Sequence, residues 1–291
     1  MPPRGRGANR RAALHPHNAA WRGWRTDARL AVVTGASSGI GEAYAERLAA
    51  DRWDLVVVAR TGERLSELAT RLNQAHAVTV RAVQADLSRP GEVARVGAEI
   101  GALPVDMLVN NAGLAHYMPF ADLAAAQAAE LVDLNVLAPV LLTQAVLPGM
   151  LARSRGTVIN IASLLAFSGA AQAPFLPKRA VYAATKSFLV TFSQVLAAEV
   201  GDRGIQVQVV CPGVVRSQFH SRQGIDMSAV PRMEPGQVVE ASLTDLADGV
   251  LVSVPGLADT EALARLDAAS LELMGVTRIT ELPARYRRDA Q

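Results

Sequence analysis

The sequence predicts an α/β fold: a single domain on one doubly wound parallel sheet, with a short C-terminal helical extension. Three observations predict it. Short runs that are apolar throughout recur along the chain, as strands do when both faces of a sheet are covered. Between them lie longer segments with apolar residues at helical spacing. A glycine-rich turn separates the first such run from the first such segment, and this alternation gives parallel strands joined by right-handed helical crossovers.

The elements follow in order. Leu30–Thr34 reads as the first strand and Gly39–Ala50 as the first helix, with Ala and Leu inward. Asp54–Ala59 is the second strand, and Gly62–Gln74 a helix with Leu65, Leu68 and Leu72 on one face. Val78–Val83, Gly91–Ile100 and Val105–Asn110 continue as strand, helix and strand. Leu123–Met150 is a long helical stretch with a bend expected near Pro139, since proline cannot complete the helical hydrogen-bond ladder. Thr157–Ala162 is the fifth strand, Ala180–Val200 a helix and Gln206–Cys211 the sixth strand. Pro235–Leu246 is a helix, Val250–Val254 a seventh strand and Thr260–Met274 an amphipathic helix. No repeat or linker interrupts residues 29–276, which read as one domain, and 277–291 read as a poorly ordered tail.

Composition narrows the function. Half of the 291 residues are hydrophobic and 19% charged, which suits a buried globular chain. The single cysteine, Cys211, excludes an intramolecular disulfide and fits a cytoplasmic protein. No run is expected to be long and apolar enough for a membrane span. Residues 1–29 carry seven arginines and one aspartate, a net of +6, leaving −4 for the rest of a chain whose formal charge is +2. The mildly acidic remainder argues against nucleic-acid binding. Residues 1–28 read as a disordered arginine-rich extension without the apolar core of a secretory signal. His15 and His17 lie in it without a further ligand nearby, and no His/Cys cluster suggests a metal.

Two motifs carry chemistry. Thr34-Gly35-Ala36-Ser37-Ser38-Gly39-Ile40-Gly41 sits between the first strand and the first helix. Glycines there permit a tight turn and close approach of a pyrophosphate, and the helix start offers free N–H groups and positive dipole charge. Tyr182 and Lys186 lie four apart on one helix, hence on one face. A neighbouring ammonium favours phenolate and would draw the tyrosine pKa down towards working pH, fitting it to exchange a proton with an alcohol or ketone oxygen. At the end of the second strand, Val58-Ala59-Arg60 has no carboxylate to hold a ribose 2′-hydroxyl. Arg60 offers a guanidinium suited to a 2′-phosphate, so the expected cofactor is NADP(H), with Ser37 adding a hydroxyl. Arg60 is one of 27 arginines and reads equally as a solvated side chain, but the missing acid still disfavours NAD.

Together with Asn110-Asn111-Ala112-Gly113, and in this order over roughly Arg29 to Val254, these motifs resemble the short-chain dehydrogenase/reductase family. The resemblance implies a Rossmann fold and a cofactor site that includes Gly35, Ser37, Ser38, Gly39, Ile40, Gly41 and Arg60. It further implies Asn111, Ala112 and Gly113 along the cofactor ribose, Pro212, Gly213, Val215 and Ser217 against the nicotinamide, and Asp86 and Leu87 at the adenine. Asp86 reads equally as a cap for the next helix. The implied catalytic set is Asn135, Ser163, Tyr182 and Lys186: Ser163 and Tyr182 on the substrate oxygen, Tyr182 as acid/base, Lys186 lowering its pKa and holding the ribose. Asn135 would feed a proton relay through a backbone-bound water, or be a helix-kink asparagine. The implied reaction is hydride transfer between NADP(H) and a carbonyl or secondary alcohol, in a homodimer or homotetramer. A non-catalytic NADP(H) sensor or scaffold on the same fold is the rival reading.

Ser163 and Tyr182 are nineteen apart, further than is usual in the family. The extra residues, within Gly169–Lys178, are expected at the pocket mouth or a subunit contact. Leu164, Leu165, Phe167, His116-Tyr117-Met118, and Phe219 with the loop to Met233 are the expected pocket walls, which suggests a fairly apolar substrate.

Overall fold

The computed structural model describes residues 28–276 apart from 172, 174, 175, 222, 225 and 228, together with 280, 281, 283 and 286. The expectations for the arginine-rich extension, His15, His17 and most of the tail lie outside the described residues.

Seven parallel strands form one sheet in the order β3-β2-β1-β4-β5-β6-β7: β1 (Leu30–Thr34), β2 (Asp54–Ala59), β3 (Val80–Gln84), β4 (Met107–Asn110), β5 (Gly156–Ile161), β6 (Ile205–Val210) and β7 (Val252–Ser253). β1, β2 and β4 are buried along their whole length, which is why their sequences alternate so little. Helices cover both faces. On one side α1 (Gly39–Ala50), α2 (Gly62–Ala75) and α8 (Pro235–Ala247) bury Tyr44, Leu48, Leu65, Leu68, Leu72 and Val238. On the other, α3 (Pro90–Gly101), α5 (Ala138–Arg153) and α6 (Ala180–Val200) bury Val96, Ile100, Leu142, Val146, Met150 and Leu196. Strand order reverses between β1 and β4, and in such sheets the ligand crevice opens at the strand carboxyl ends beside that point. The expected doubly wound architecture is thus the observed one. β7 is shorter than expected, an edge strand paired through Val209 and Val210 of β6 alone.

The long helical stretch departs from its expected form. α4 (Ala125–Val132) and α5 are joined through a π turn, Asp133–Leu137, in which the Ala138 N–H reaches back to the Asp133 carbonyl. Pro139 explains the wide turn. It has no N–H to offer the Asn135 carbonyl four residues before it, and its ring crowds that carbonyl. Ala125–Arg153 is therefore one helical run of 29 residues, long and apolar enough by composition to cross a membrane, although no such run was expected. Its apolar residues Leu131, Leu134, Leu142, Val146 and Met150 are buried within the fold.

Residues 256–291 form a separate compact unit. Its helix α9 (Glu261–Gly275) leaves Leu266, Leu271, Leu273 and Met274 exposed.

Candidate active site

A cleft of about 1090 Å³ runs across the carboxyl ends of the strands. Its floor at β1 is the glycine turn, where Gly35 and Gly39 take φ of 66° and 61°, in the left-handed region that favours glycine. A Cβ on Gly35 would stand 2.7 Å from Asn111 Nδ2, and one on Gly41 2.5 Å from the Gly35 carbonyl oxygen. Gly35, Ser37, Ser38, Gly39 and Ile40 line the cleft. Gly41 does not: it serves the close packing of α1 on the turn.

At the β2 end, Arg60 faces the cleft beside Thr61 and Arg64. Arg64 was not foreseen; its one hint was a spacing of four from Arg60 across the start of α2. Its guanidinium donates to Gln218 Oε1 at 2.7 Å, bridging towards α7 (Gln218–Ser221). Leu87 lines the cleft, whereas Asp86 lies in a neighbouring surface pocket with Arg60 and Arg89. Asp86 Oδ1 accepts from the Ser88 N–H at 3.1 Å and the Ser88 hydroxyl at 2.7 Å. Burial alone would raise the Asp86 carboxyl, but those bonds, with Arg60 and Arg89 nearby, hold it below its usual value. Asp86 is thus the head of a local turn rather than the cap of α3, whose N-cap is Arg89.

Asn111, Ala112 and Gly113 also line the cleft, and Asn111 has a second task. Its side-chain amide donates to the carbonyls of Thr34, at 2.9 Å, and Gly35, at 3.3 Å, so it braces the glycine turn. Asn110 ties β4 to β5 through Asn160 Oδ1 at 2.9 Å. Pro212, Gly213, Val215 and Ser217 line the far end, and Arg216 turns away to pair with Glu234.

Ser163, Tyr182 and Lys186 meet where β5 and α6 approach the cleft. Ser163 follows β5 by two residues in extended backbone, and its hydroxyl accepts from the Leu165 N–H at 3.1 Å. Tyr182 and Lys186 are buried, 5% and 4% exposed. Ser163 lines the cleft beside Tyr182, and the Tyr117 ring stands edge-on to the Tyr182 ring with centroids 5.3 Å apart. Lys186 Nζ donates to the Ile161 carbonyl at 2.8 Å. The pKa expectation for the pair is corrected here. Burial pushes Tyr182 up to about 12, against the pull of the Ser163 and Tyr117 hydroxyls. Burial pushes Lys186 down to about 8, with Cys211 opposing. The expectation weighed only the attraction of an ammonium; both groups are desolvated, which disfavours both charges.

Asn135 is fully buried in the π turn, behind the cleft. Its Oδ1 accepts from the Leu114 N–H at 3.1 Å, and its Nδ2 donates to the Leu114 carbonyl at 2.9 Å and to Thr185 Oγ1 at 3.1 Å. Thr185 in turn donates to the Tyr182 carbonyl at 2.8 Å. Nothing in the sequence pattern marked Thr185 as this link.

The long Ser163–Tyr182 connection is held by Arg179, just before α6. Its guanidinium donates to the Ser168 hydroxyl at 2.8 Å and to the carbonyls of Ser168, Ala171 and Pro177 at 2.9, 3.0 and 3.0 Å. Leu176 and Pro177 thereby join Leu164, Leu165, Phe219, Met227 and Val230 as walls of the cleft. Of the other expected walls, Tyr117 lines the cleft, while Phe167 packs on the cluster around Leu189 and Val190.

The cleft fits a dinucleotide phosphate. The glycine turn lines its floor, the α1 N-terminus supplies backbone donors, and two guanidiniums stand at the β2 end. Among the described residues no group of three His, Cys, Asp or Glu could hold a metal ion.

The short chain dehydrogenase family model matches residues 29–227. The very-long-chain 3-oxoacyl-CoA reductase of Laccaria bicolor is 37% identical over 182 residues, 61% of this chain and 52% of that protein, so the match spans about half of that relative. A short-chain dehydrogenase from Sphingobium yanoikuyae, solved in complex with NADPH, is 38% identical with a TM-score of 0.84, covering 89% of this chain and all of that one. The bulky-bulky ketone specific alcohol dehydrogenase of Comamonas testosteroni is 34% identical with a TM-score of 0.81, covering 90% of this chain and all of that one.

Proposed function

The chain belongs to the short-chain dehydrogenase family, and on that ground we propose that it is an NADP(H)-dependent oxidoreductase acting on the carbonyl or secondary alcohol of a fairly apolar small molecule. The observation that carries this reading is buried Tyr182 in a dinucleotide-sized cleft that Ser163 and Lys186 line with it. The opposite end offers Arg60 and Arg64 where a carboxylate would select NAD.

Bound NADPH would supply the hydride. Gly35, Ser37, Ser38, Gly39 and Ile40 would hold its pyrophosphate, and Arg60 its 2′-phosphate. Ser163 would orient the substrate oxygen, and Tyr182 would give that oxygen its proton as the C–H bond forms. A phenol held near 12 is well supplied with that proton at neutral pH. Lys186 is fixed by Ile161 beside the ribose-lining Gly113. Asn135 holds the Leu114 loop against the site. A purely sensing protein would have little use for Ser163, Tyr182 and Lys186 assembled in one place.

The walls favour apolar groups on the substrate: Leu164, Leu165, Leu176, Phe219, Met227 and Val230 surround the hydroxyl pair. Very-long-chain 3-oxoacyl-CoA and bulky-bulky ketones, named in the relatives' descriptions, are the two classes to compare. For assembly we propose a homodimer or homotetramer through the outer faces of α4 and α6. There Val132, Phe188 and Val195 are exposed, and Phe188 stacks on Phe192 at 5.8 Å. Sedimentation of Phe188→Glu against wild type tests it.

The decisive assay is NADPH oxidation against a panel of bulky ketones, aldehydes and 3-oxoacyl thioesters, wild type beside Tyr182→Phe. We expect at least a ~10³-fold loss of kcat in the variant with NADPH affinity retained. Full activity in Tyr182→Phe would end the mechanism.

A further inference from the structure

We propose that Arg64 and Gln218 form a strap between the cofactor end of the cleft and its substrate wall, so that a 2′-phosphate held at the first is felt at the second. The proposal rests on the reading of the cleft as an NADP(H) site. Arg64 lies in the first turn of α2 and Gln218 opens α7, 154 positions further along the chain. Arg64 Nη1 donates to Gln218 Oε1 at 2.7 Å, and both residues line the cleft. The bond thus ties the end of the cleft at β2 to the segment that follows β6.

Gln218 stands between a pinned stretch and the substrate wall. Before it, the Arg216 N–H donates to the Met233 carbonyl at 2.8 Å and the Met233 N–H to the Val214 carbonyl at 3.0 Å. Ser217 then passes so near the glycine turn that a Cβ on Gly39 would stand 3.0 Å from the Ser217 Cβ. After it, Phe219 flanks Tyr182 with ring centroids 6.2 Å apart, and Met227 and Val230 line the cleft beyond. The Phe219 N–H reaches back to Ser217 Oγ at 3.3 Å, and its carbonyl accepts from Gln223 Nε2 at 2.8 Å, so what grips Gln218 also places Phe219. α7 itself is one turn of four residues, too short to hold its own helical form. A grip from across the cleft therefore matters to it.

Side-chain entropy supplies the coupling. The Arg64–Gln218 bond is exposed, and a bond between two long exposed side chains returns little beyond the rotamer freedom it removes. A guanidinium carries its N–H donors in a rigid fork that can hold a phosphate and an amide oxygen together. Once a phosphate fixes Arg64, the bond to Gln218 forms at a smaller entropic cost. Linkage makes that gain mutual: the phosphate firms the strap, and the strap tightens the phosphate. NAD(H), which lacks the 2′-phosphate, leaves the strap as it is in the unliganded protein. The choice of cofactor then sets how firmly Phe219 is held beside Tyr182.

Gln218→Met keeps the length of the side chain and removes its acceptor, and unchanged melting behaviour shows that the variant is folded. In fluorescence titrations it should weaken NADPH about fivefold, with NADH within about twofold of wild type. Hydrogen exchange at the peptide containing Phe219 gives a second readout without turnover. Saturating NADPH should slow it at least about fivefold more than saturating NADH in wild type, and the two nucleotides should act alike in the variant. KM for a bulky ketone should follow, about fivefold lower with NADPH than with NADH in wild type and equal in the variant. Equal weakening of both nucleotides would mean that Gln218 touches their common part. NADPH that speeds exchange at Phe219 would mean that phosphate and Gln218 compete for Arg64, and an unchanged NADPH affinity would mean that they act independently. Each of these results overturns the proposal. If wild type binds neither nucleotide, the functional reading fails and the strap with it; if NADPH binds and turns over but the nucleotide ratio survives Gln218→Met, the strap alone fails.

Discussion

Lys186 Nζ stands 5.8 Å from the centroid of the Tyr182 ring and spends its hydrogen bond on the Ile161 carbonyl, 2.8 Å away. The two side chains share a helical face without a direct bond between their polar ends. Each is shifted towards its neutral form by burial: Lys186 down to about 8, Tyr182 up to about 12.

A stability signature follows for the unliganded protein. Between about pH 8 and 10.5 the unfolded chain keeps a proton on Lys186 that the folded chain has released. More protons on the unfolded side means that this group's contribution to stability rises with pH through that window. Below about pH 8 both states are protonated and the burial penalty is constant. Tyr182 acts oppositely above about pH 10, where the folded state keeps its proton longer and stability falls. Lys186→Met should therefore gain on wild type by up to about 2–3 kcal/mol at pH 7, less the lost bond to Ile161, with the advantage shrinking towards pH 10. Denaturant midpoints at pH 7, 8, 9 and 10 measure it; a difference independent of pH would contradict the assignment.

Asn135→Ala strips partners from both backbone groups of Leu114 and from Thr185. With buried polar groups left unpaired, the expected destabilisation is about 2–4 kcal/mol. Turnover should fall as well, because the loop that carries Tyr117 loses its grip. Urea denaturation beside a kcat measurement checks both, and a change below about 0.5 kcal/mol would show that the clamp is dispensable.

Arg60→Asp should weaken NADPH binding about 100-fold while leaving NADH within about tenfold of its starting affinity, since a guanidinium favours the 2′-phosphate and a carboxylate repels it. Fluorescence titration with each nucleotide reads the ratio. Equal loss for both nucleotides would move the selective role to Arg64.

Arg179→Ala removes four hydrogen bonds to the connection between Ser163 and α6. The catalytic groups do not depend on them, so kcat should change little while KM for bulky ketones rises about 5–20-fold. Limited proteolysis within residues 169–178 should speed up in the same variant. Unchanged KM together with unchanged proteolysis would leave Arg179 without the role given to it.

The strands were legible because a sheet covered on both faces demands apolar residues on both sides of each strand, as Leu30–Thr34 and Asp54–Ala59 show. Gly35 and Gly39 were legible because a positive φ leaves little choice of residue. Pro139 marked an irregularity, but that it would take the form of a π turn containing Asn135 depended on packing. The local bonds of Asn111 to the glycine turn and of Asp86 to Ser88 were not legible, because side-chain bonding to nearby groups depends on the folded backbone. The Tyr182 pKa was misjudged for a different reason: burial is a property of the folded whole, and no i,i+4 spacing reports it. Tyr117 was foreseen as a pocket wall, but its ring contact with Tyr182 joins two loci far apart in the chain.

Arg179 separates two kinds of inheritance. The segment it ties begins just after Ser163, two residues beyond a strand of the central sheet, and ends just before Tyr182, on a helix packed against that sheet. Between those fixed posts, residues can be gained or lost for a slowly growing entropic cost, while the guanidinium closes the segment on itself through main-chain carbonyls that any residue supplies. Substrate preference can then drift by rewriting Leu176 and its neighbours while the proton-transfer groups stay in register. For a designer, that makes the connection a graft site: exchange of the rim between Ser168 and Arg179 is the change with the greatest reach into selectivity and the least into chemistry.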